Sequence, residues 1–171
     1  LIIFDSFTGL PQPKSSDQRH HCPVAGEIHT YTKGAFTGKL AEVKSNVRKY
    51  GNLSTCEFIP GYFSSTLSKF RQNHQSIACI FTDVDLTQSL KTCLQFLWPQ
   101  LIKGGYWFTH EAQHQEIAQI FFDPVWWQRH LTQKPPGLIG ALTGLTFGLQ
   151  PTALGYTFKF KSGYQLRPQQ P

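Results

Sequence analysis

The chain contains no methionine, and charge is scarce: Asp, Glu, Lys and Arg make up 15% of its 171 residues. With 40% hydrophobic residues beside that low charge, a disordered chain is excluded and one globular domain is expected. Cysteine is sparse as well. Cys22, Cys56, Cys79 and Cys93 show no C-x-x-C spacing, which argues against zinc modules and redox pairs. Cys79 and Cys93 fall inside apolar runs, so buried, reduced thiols in a cytoplasmic protein are expected. No run of eighteen apolar residues occurs, even in the uncharged segment 135–158, where Gly, Pro and Thr interrupt. A membrane span is therefore not expected. Basic clusters are absent too: a net charge of +6 is scattered along the chain. That spread favours a basic globular protein over a nucleic-acid binder.

What is present is organised around residues 77–111. Ile77 to Thr82 is a short apolar run, as in a strand buried on both faces of a parallel sheet. It ends at Asp83-Val84-Asp85, two carboxylates at a strand exit. Leu90, Cys93, Leu94, Leu97 and Trp98 then recur at helical spacing. Pro99 ends the helix, Gly104-Gly105 reads as a turn, and Tyr106 to Thr109 is a second strand closing on His110-Glu111. A right-handed strand–helix–strand unit brings both strand exits to one sheet edge, where open α/β sheets bind ligands.

The flanking sequence repeats this plan. Leu1 to Phe4 reads as a strand ending at Asp5, and the chain thus opens inside a strand. The expectation is that an earlier strand and glycine-rich turn lie upstream. The polar stretch from Pro13 to Lys33 holds His20, His21, Cys22 and His29 without a second ligand pair, and reads as a solvated loop. Leu40, Val43, Val47 and Tyr50 share one helical face before Gly51. A strand over 56–59 and a helix over 64–71 follow. A helix is expected over 112–122, then the aromatic cluster Val125-Trp126-Trp127 covering the core. Strands near 138–149 and 153–161 would form a C-terminal antiparallel hairpin. The fold class is α/β, a Rossmann-like doubly wound and mostly parallel sheet with helices on both faces. The domain would span 1–161, with a disordered tail over 162–171.

His110-Glu111-Ala112-Gln113-His114 also matches H-E-x-x-H, the zinc peptidase motif. That motif needs both histidines on one helix, whereas strand-like residues precede His110 here. The peptidase reading is second for that reason.

Phe4-Asp5-Ser6-Phe7-Thr8-Gly9-Leu10-Pro11 resembles the FDSFEGLP signature of the macrocin O-methyltransferase (TylF/MycF/NovP-like) family. Gly34-Ala35-Phe36, the run Gly61 to Leu67, Asp83 to Ser89, and Trp98 to Leu101 with Gly104-Gly105 are similar to further family segments, in order. The resemblance covers about Leu1 to Phe122. It implies a class I methyltransferase using S-adenosylmethionine and a divalent metal to methylate hydroxyls of small molecules such as sugars and natural products. It leaves assembly into a homo-oligomer open.

Carried over by position, Asp5 and Ser6 would hold the cofactor's ribose end, and Gly61, Tyr62 and Phe63 would lie near its adenine. Asp83 would be metal ligand and proton acceptor, with His110 and Glu111 completing the metal set. The family has two acidic residues where His110 and Glu111 stand. A nitrogen in the set shifts the preference from Mg²⁺ toward Mn²⁺, Fe²⁺ or Zn²⁺. This departure also raises a third reading, a binding domain that keeps the fold without turnover.

Overall fold

The computed structural model describes residues 1–73, 76–143, 146–147, 150–151 and 153–160. The chain opens with β1 (Ile2–Asp5), passes through a hairpin of β2 (Arg19–Cys22) and β3 (Glu27–Thr30), and enters α1 (Leu40–Tyr50). It returns as β4 (Glu57–Pro60), parallel to β1, with Ile3 opposite Phe58 and Phe4 opposite Ile59. The helix α2 (Phe63–Asn73) then crosses to β5 (Ile77–Thr82). On its way it covers β1, since Phe70 meets Phe4 edge-on with ring centroids 5.0 Å apart.

Alternation along these short strands assigns their faces. Phe4 and Ile59 join the main core with Leu67 and Phe70. Ile3 and Phe58 point the other way, where Lys44 of α1 sits over the Phe58 ring at 5.4 Å. The two crossovers thus put α1 and α2 on opposite faces, the doubly wound arrangement. Leu40, Val43 and Val47 are half-buried as the helical pattern requires, but Tyr50 at the end of α1 points outward and is 76% exposed.

From β5 the chain forms α3 (Thr87–Leu97) and then β6 (Leu101–Thr109), parallel to β5. Leu90, Cys93, Leu94, Leu97 and Trp98 are all buried, so the helical stripe packs as its spacing dictates. Gly104-Gly105 lies within β6 rather than in a turn, opposite a register shift between Ile77 and Cys79. A Cβ on Gly105 would come within 2.9 Å of the Ala78 carbonyl oxygen, so only glycine lets the strands close there.

Beyond β6 come α4 (Gln115–Ile120) and α5 (Pro124–Leu131). The helix expected from residue 112 starts only at Gln115. Ala112 is tied to the C-terminal segment instead: its N–H donates to the Ala153 carbonyl and its own carbonyl accepts from Leu142 N–H, both at 2.7 Å. Asp123 caps α5 by accepting from Val125 N–H at 3.0 Å and Trp126 N–H at 2.9 Å. Trp126 and Trp127 are buried, and Trp127 packs edge-on to Trp98 at 4.9 Å. These two cover the core as expected, while Val125 of the same cluster is 64% exposed.

The C-terminal antiparallel element is present, with β6 as its chief partner. Two-residue strands β7 (Thr146–Phe147) and β8 (Gln150–Pro151) pair with each other. The strand β9 (Gly155–Phe158) runs antiparallel along β6, and Ile139 adds one bridge to Tyr156. Lys159 Nζ fastens this edge by donating to the carbonyls of Trp98, Pro99 and Leu101 at 2.8–3.2 Å. The tail over 162–171 and parts of the expected strand at 138–149 lie outside the described residues.

Two features bear on the site. The stretch read as a solvated loop instead contains the β2–β3 hairpin, with His20, Cys22 and Tyr31 buried. The sheet is also bare on one side. The ladder registers place Cys79, Phe81, Tyr106, Phe108, Tyr156 and Phe158 on one face. Phe81 is 60% exposed and Tyr106 47%, while Ile80, Trp107 and Thr157 on the opposite face are buried. Cys79 is likewise exposed, not buried as its apolar setting predicts, because nothing among the described residues covers that face. Among the described residues, β1 has no ladder partner besides β4, and β5 none besides β6. No described helix is long and apolar enough to cross a membrane.

Candidate active site

The C-terminal ends of β1, β4, β5 and β6 open into one cleft of about 620 Å³. All the residues singled out at those ends line it: Asp5 and Ser6, then Gly61, Tyr62 and Phe63, then Asp83, His110 and Glu111. Parallel strands with the same exit edge account for this convergence of residues distant in sequence.

The first group is shaped by a tight turn. Asp5 accepts the Phe7 N–H at 2.6 Å, and Phe7 takes a left-handed backbone, φ 54°. Ser6 Oγ donates to the Gly9 carbonyl at 2.8 Å. Gly9, φ 83°, packs directly on the 34–35 backbone, where a Cβ would lie 2.5 Å from the Gly34 carbonyl oxygen. Leu10 N–H and the Leu10 carbonyl bond that same segment at 2.9 Å each. The Asp-Ser turn and the Gly-Ala-Phe turn are thus one unit. Gly61 N–H donates to the Asp5 carbonyl at 2.9 Å, setting Tyr62 and Phe63 beside the turn.

The second group is electrostatic. Thr82, Val84 and Leu86 are buried, so the intervening Asp83 and Asp85 are turned toward the cleft, Asp85 with φ 53°. Burial and the neighbouring Asp83 raise the Asp85 carboxyl above its usual range. His110 Nδ1 lies 2.6 Å from Glu111 Oε1 and 3.4 Å from Asp83 Oδ1. Burial works against an imidazolium at His110, but the hydrogen bond to Glu111 and the carboxylates around it prevail and raise its pKa. Burial lifts Glu111 as well, to about 7, against the pull of His110.

Asp83, His110 and Glu111 are suited to a divalent cation. Their ligand atoms all lie within 4.8 Å of one another. Glu111 Oε2 is buried without a hydrogen-bond partner, an orphaned oxygen a cation would satisfy. Two carboxylates and one imidazole form a borderline donor set.

The H-E-x-x-H reading fails on geometry. His110 and Glu111 precede the helix, and His114 is the N-cap of α4. His114 faces away into the hairpin, with Nδ1 3.4 Å from the Tyr31 hydroxyl and Nε2 3.3 Å from Gln113 Nε2. Burial, with His29 and His20 close by, pushes its pKa down to about 4.

Lys14, Asp17 and Thr92 also line the cleft and had no sequence signal, whereas Phe36 and Gln88, which line it too, fall within the family-like segments Gly34-Ala35-Phe36 and Asp83 to Ser89. Asp17 sits in a polar stretch and nothing around it announces burial. Phe36 holds φ 59° and is 73% exposed.

A parallel α/β sheet whose strand exits converge on an acid-lined cleft has the general layout of the class I methyltransferase fold. A family model for Macrocin-O-methyltransferase (TylF) matches residues 1–133, and the chain belongs to that family. Among solved structures it is similar to the O-methyltransferase NovP, with 21% identity and a TM-score of 0.64 over 94% of this chain and 60% of that one. It is similar also to the calicheamicin methyltransferase CalS11, with 16% identity and a TM-score of 0.59 over 92% of this chain and 59% of that one. At such identities the likeness shows the fold. The chain spans about 60% of the length of NovP and of CalS11. No curated protein matches it.

Proposed function

We propose that the protein, as one methyltransferase domain over 1–161, transfers a methyl group from S-adenosylmethionine to a hydroxyl of a small molecule, a sugar or natural product, with a divalent metal assisting. The observation that carries this reading is the convergence of Asp5, Asp83, His110 and Glu111 on one cleft, in a chain of this family. The reading places the protein in the cytoplasm, with neither membrane nor nucleic acid as partner.

The turn at Asp5 and Ser6 would hold the ribose end of the cofactor, with Gly61, Tyr62 and Phe63 bordering its adenine. Bound there, the cofactor supplies an electrophilic methyl on a sulfonium; transfer is an in-line displacement whose main demand is alignment. Asp83, His110 and Glu111 would hold the metal, which lowers the pKa of a hydroxyl near it. Asp83 accepts the hydroxyl proton as the oxygen attacks. The bond between His110 Nδ1 and Glu111 Oε1 would orient the imidazole beside the two carboxylates.

The test is calorimetric titration with S-adenosylmethionine, then methyl transfer to a panel of sugar and phenol hydroxyls, with and without chelator. Saturable binding, turnover and its loss with chelator are expected. Glu111→Ala should weaken metal binding and His114→Ala should spare it. Binding without turnover on any acceptor would favour a binding domain, and equal metal loss in both variants would relocate the metal.

A further inference from the structure

We propose that Asp17 is a positioning residue for the acceptor: it fastens one wall of the cleft, the 10–17 loop and the hairpin behind it, to the first turn of α3. The inference rests on the methyltransferase reading of the cleft.

Helix α3 follows directly on Asp83-Val84-Asp85, and its own N-cap residue, Leu86, has no side-chain acceptor to offer. Asp17 supplies it from 70 residues upstream. Its Oδ1 accepts from Thr87 N–H at 3.0 Å and from Thr87 Oγ1 at 2.5 Å, and its Oδ2 accepts from Gln88 N–H at 3.1 Å. His20 Nε2 of the hairpin lies 3.2 Å from the same Oδ1. The carboxylate is 1% exposed. One side chain therefore joins the loop, the hairpin and the helix that leaves the catalytic strand.

What this junction holds in place is the part of the cleft lining not used above for cofactor or metal. Lys14 precedes the turn that carries Asp17, whose N–H donates to the Lys14 carbonyl at 2.9 Å. Across the junction Lys14 Nζ reaches Gln88 Oε1 at 3.2 Å. Gln88, Ser89 and Thr92 line the cleft from the helix side, and Lys14 and Leu10 from the loop side. Neither side is covalently near the other, so the gap between them is held by the buried Asp17 junction together with the exposed Lys14–Gln88 bond.

A second grip holds the back of the hairpin. His21 donates its N–H to Glu116 Oε2 at 2.8 Å, and its Nδ1 lies 2.5 Å from Oε1 of the same carboxylate. Because this contact keeps the hairpin docked, loss of the Asp17 junction loosens the wall facing the cleft without releasing the hairpin. That separates positioning from folding. In Asp17→Asn the amide has one acceptor oxygen for partners that donate to both carboxylate oxygens, and its NH₂ opposes a donor.

The test uses the full chain as wild type, Asp17→Asn, Thr87→Val and Thr87→Ser, with an acceptor that the wild type methylates. Asp17→Asn should raise the acceptor KM about tenfold with kcat within about twofold, the pattern of lost uniform binding. Thr87→Val should move KM in the same direction, and Thr87→Ser, which keeps the hydroxyl, should restore it. The Kd for S-adenosylmethionine should stay within about twofold in all four. Hydrogen exchange over 10–17 should quicken in Asp17→Asn and not over 19–22. An unchanged acceptor KM in both Asp17→Asn and Thr87→Val overturns the inference, and so does a parallel loss of cofactor affinity. A wild type that binds no S-adenosylmethionine overturns the reading of the cleft, and the inference with it.

Discussion

Asp83 stands at a strand exit between buried Thr82 and buried Val84, while its own side chain is 60% exposed. The fold therefore does not depend on its charge, and Asp83→Asn should retain it. If the carboxylate accepts the proton, loss of a general base costs about 10²–10⁴-fold in rate. Affinity for S-adenosylmethionine should change far less, since the reading assigns that to the Asp5 turn and the Gly61 region. Initial rates and calorimetry on the same preparation check this; a variant of unchanged rate would shift the proton acceptor to Asp85. Asp17 behaves differently because it is buried. Burial alone would raise its pKa, but hydrogen bonds from His20, Thr87 and Gln88 outweigh it and hold the carboxyl down at about 2, against 3.8 in the open chain. A depressed carboxyl stabilises above its unfolded pKa, and the contribution fades as pH falls from about 4 to about 2. The difference is worth roughly 2 kcal/mol. Denaturant unfolding from pH 6 to pH 2 should show a drop in that window for wild type, and a flatter profile for Asp17→Asn. Equal slopes would mean that another acid controls it.

At the scale of elements, the legible pieces were those whose pattern and packing agree. The α3 stripe could be read directly, because it buries the residues its period brings to one face; β5 is a strand where its apolar run predicts one, but the expected burial on both faces fails, since Cys79 and Phe81 are exposed. Strand exits were equally legible, so Asp5, Asp83, His110 and Glu111 could be named from position alone. What escaped was decided by distant partners. The α4 start is delayed by the bonds of Ala112 to the C-terminal segment, and the β2–β3 hairpin is held by Asp17, Tyr31 and Glu116 contacts that span seventy residues or more. Local propensity carries no trace of either. Asp123 shows how a boundary is enforced where the local signal suffices: it caps α5 just ahead of Pro124. Asp123→Ala should cost about 1 kcal/mol, measured by chemical unfolding, with the Trp126–Trp127 cluster reporting through fluorescence. A neutral result would assign the helix start to Pro124 alone.

At the scale of the molecule the unusual feature, among the described residues, is the β5–β6–β9 ladder with one face packed and one face aromatic and open. Parallel sheets are ordinarily covered on both sides, and contiguous apolar patches of this kind invite association. Phe81 is the most exposed aromatic of that face, at 60%. Phe81→Lys should lower binding of a hydrophobic dye and reduce self-association in sedimentation, while leaving the unfolding midpoint nearly unchanged because little burial is lost. Undiminished association would place the contact elsewhere on the surface.

The division of the strands into one pair, β1 with β4, and one triplet, β5 with β6 and β9, bears on cooperativity. No described ladder hydrogen bond crosses between them; α2 and the contact of Phe4 with Phe70 do the joining. Such a seam is where a domain opens below its global unfolding free energy, giving two exchange-protected blocks rather than one. The cleft lies on this seam, with Asp5 on one block and Asp83 on the other. A ligand touching both acts as the missing stitch, and its affinity includes the work of holding the blocks together. Occupancy of the cleft would then be legible far from it, in the protection of amides on both sides rising as one.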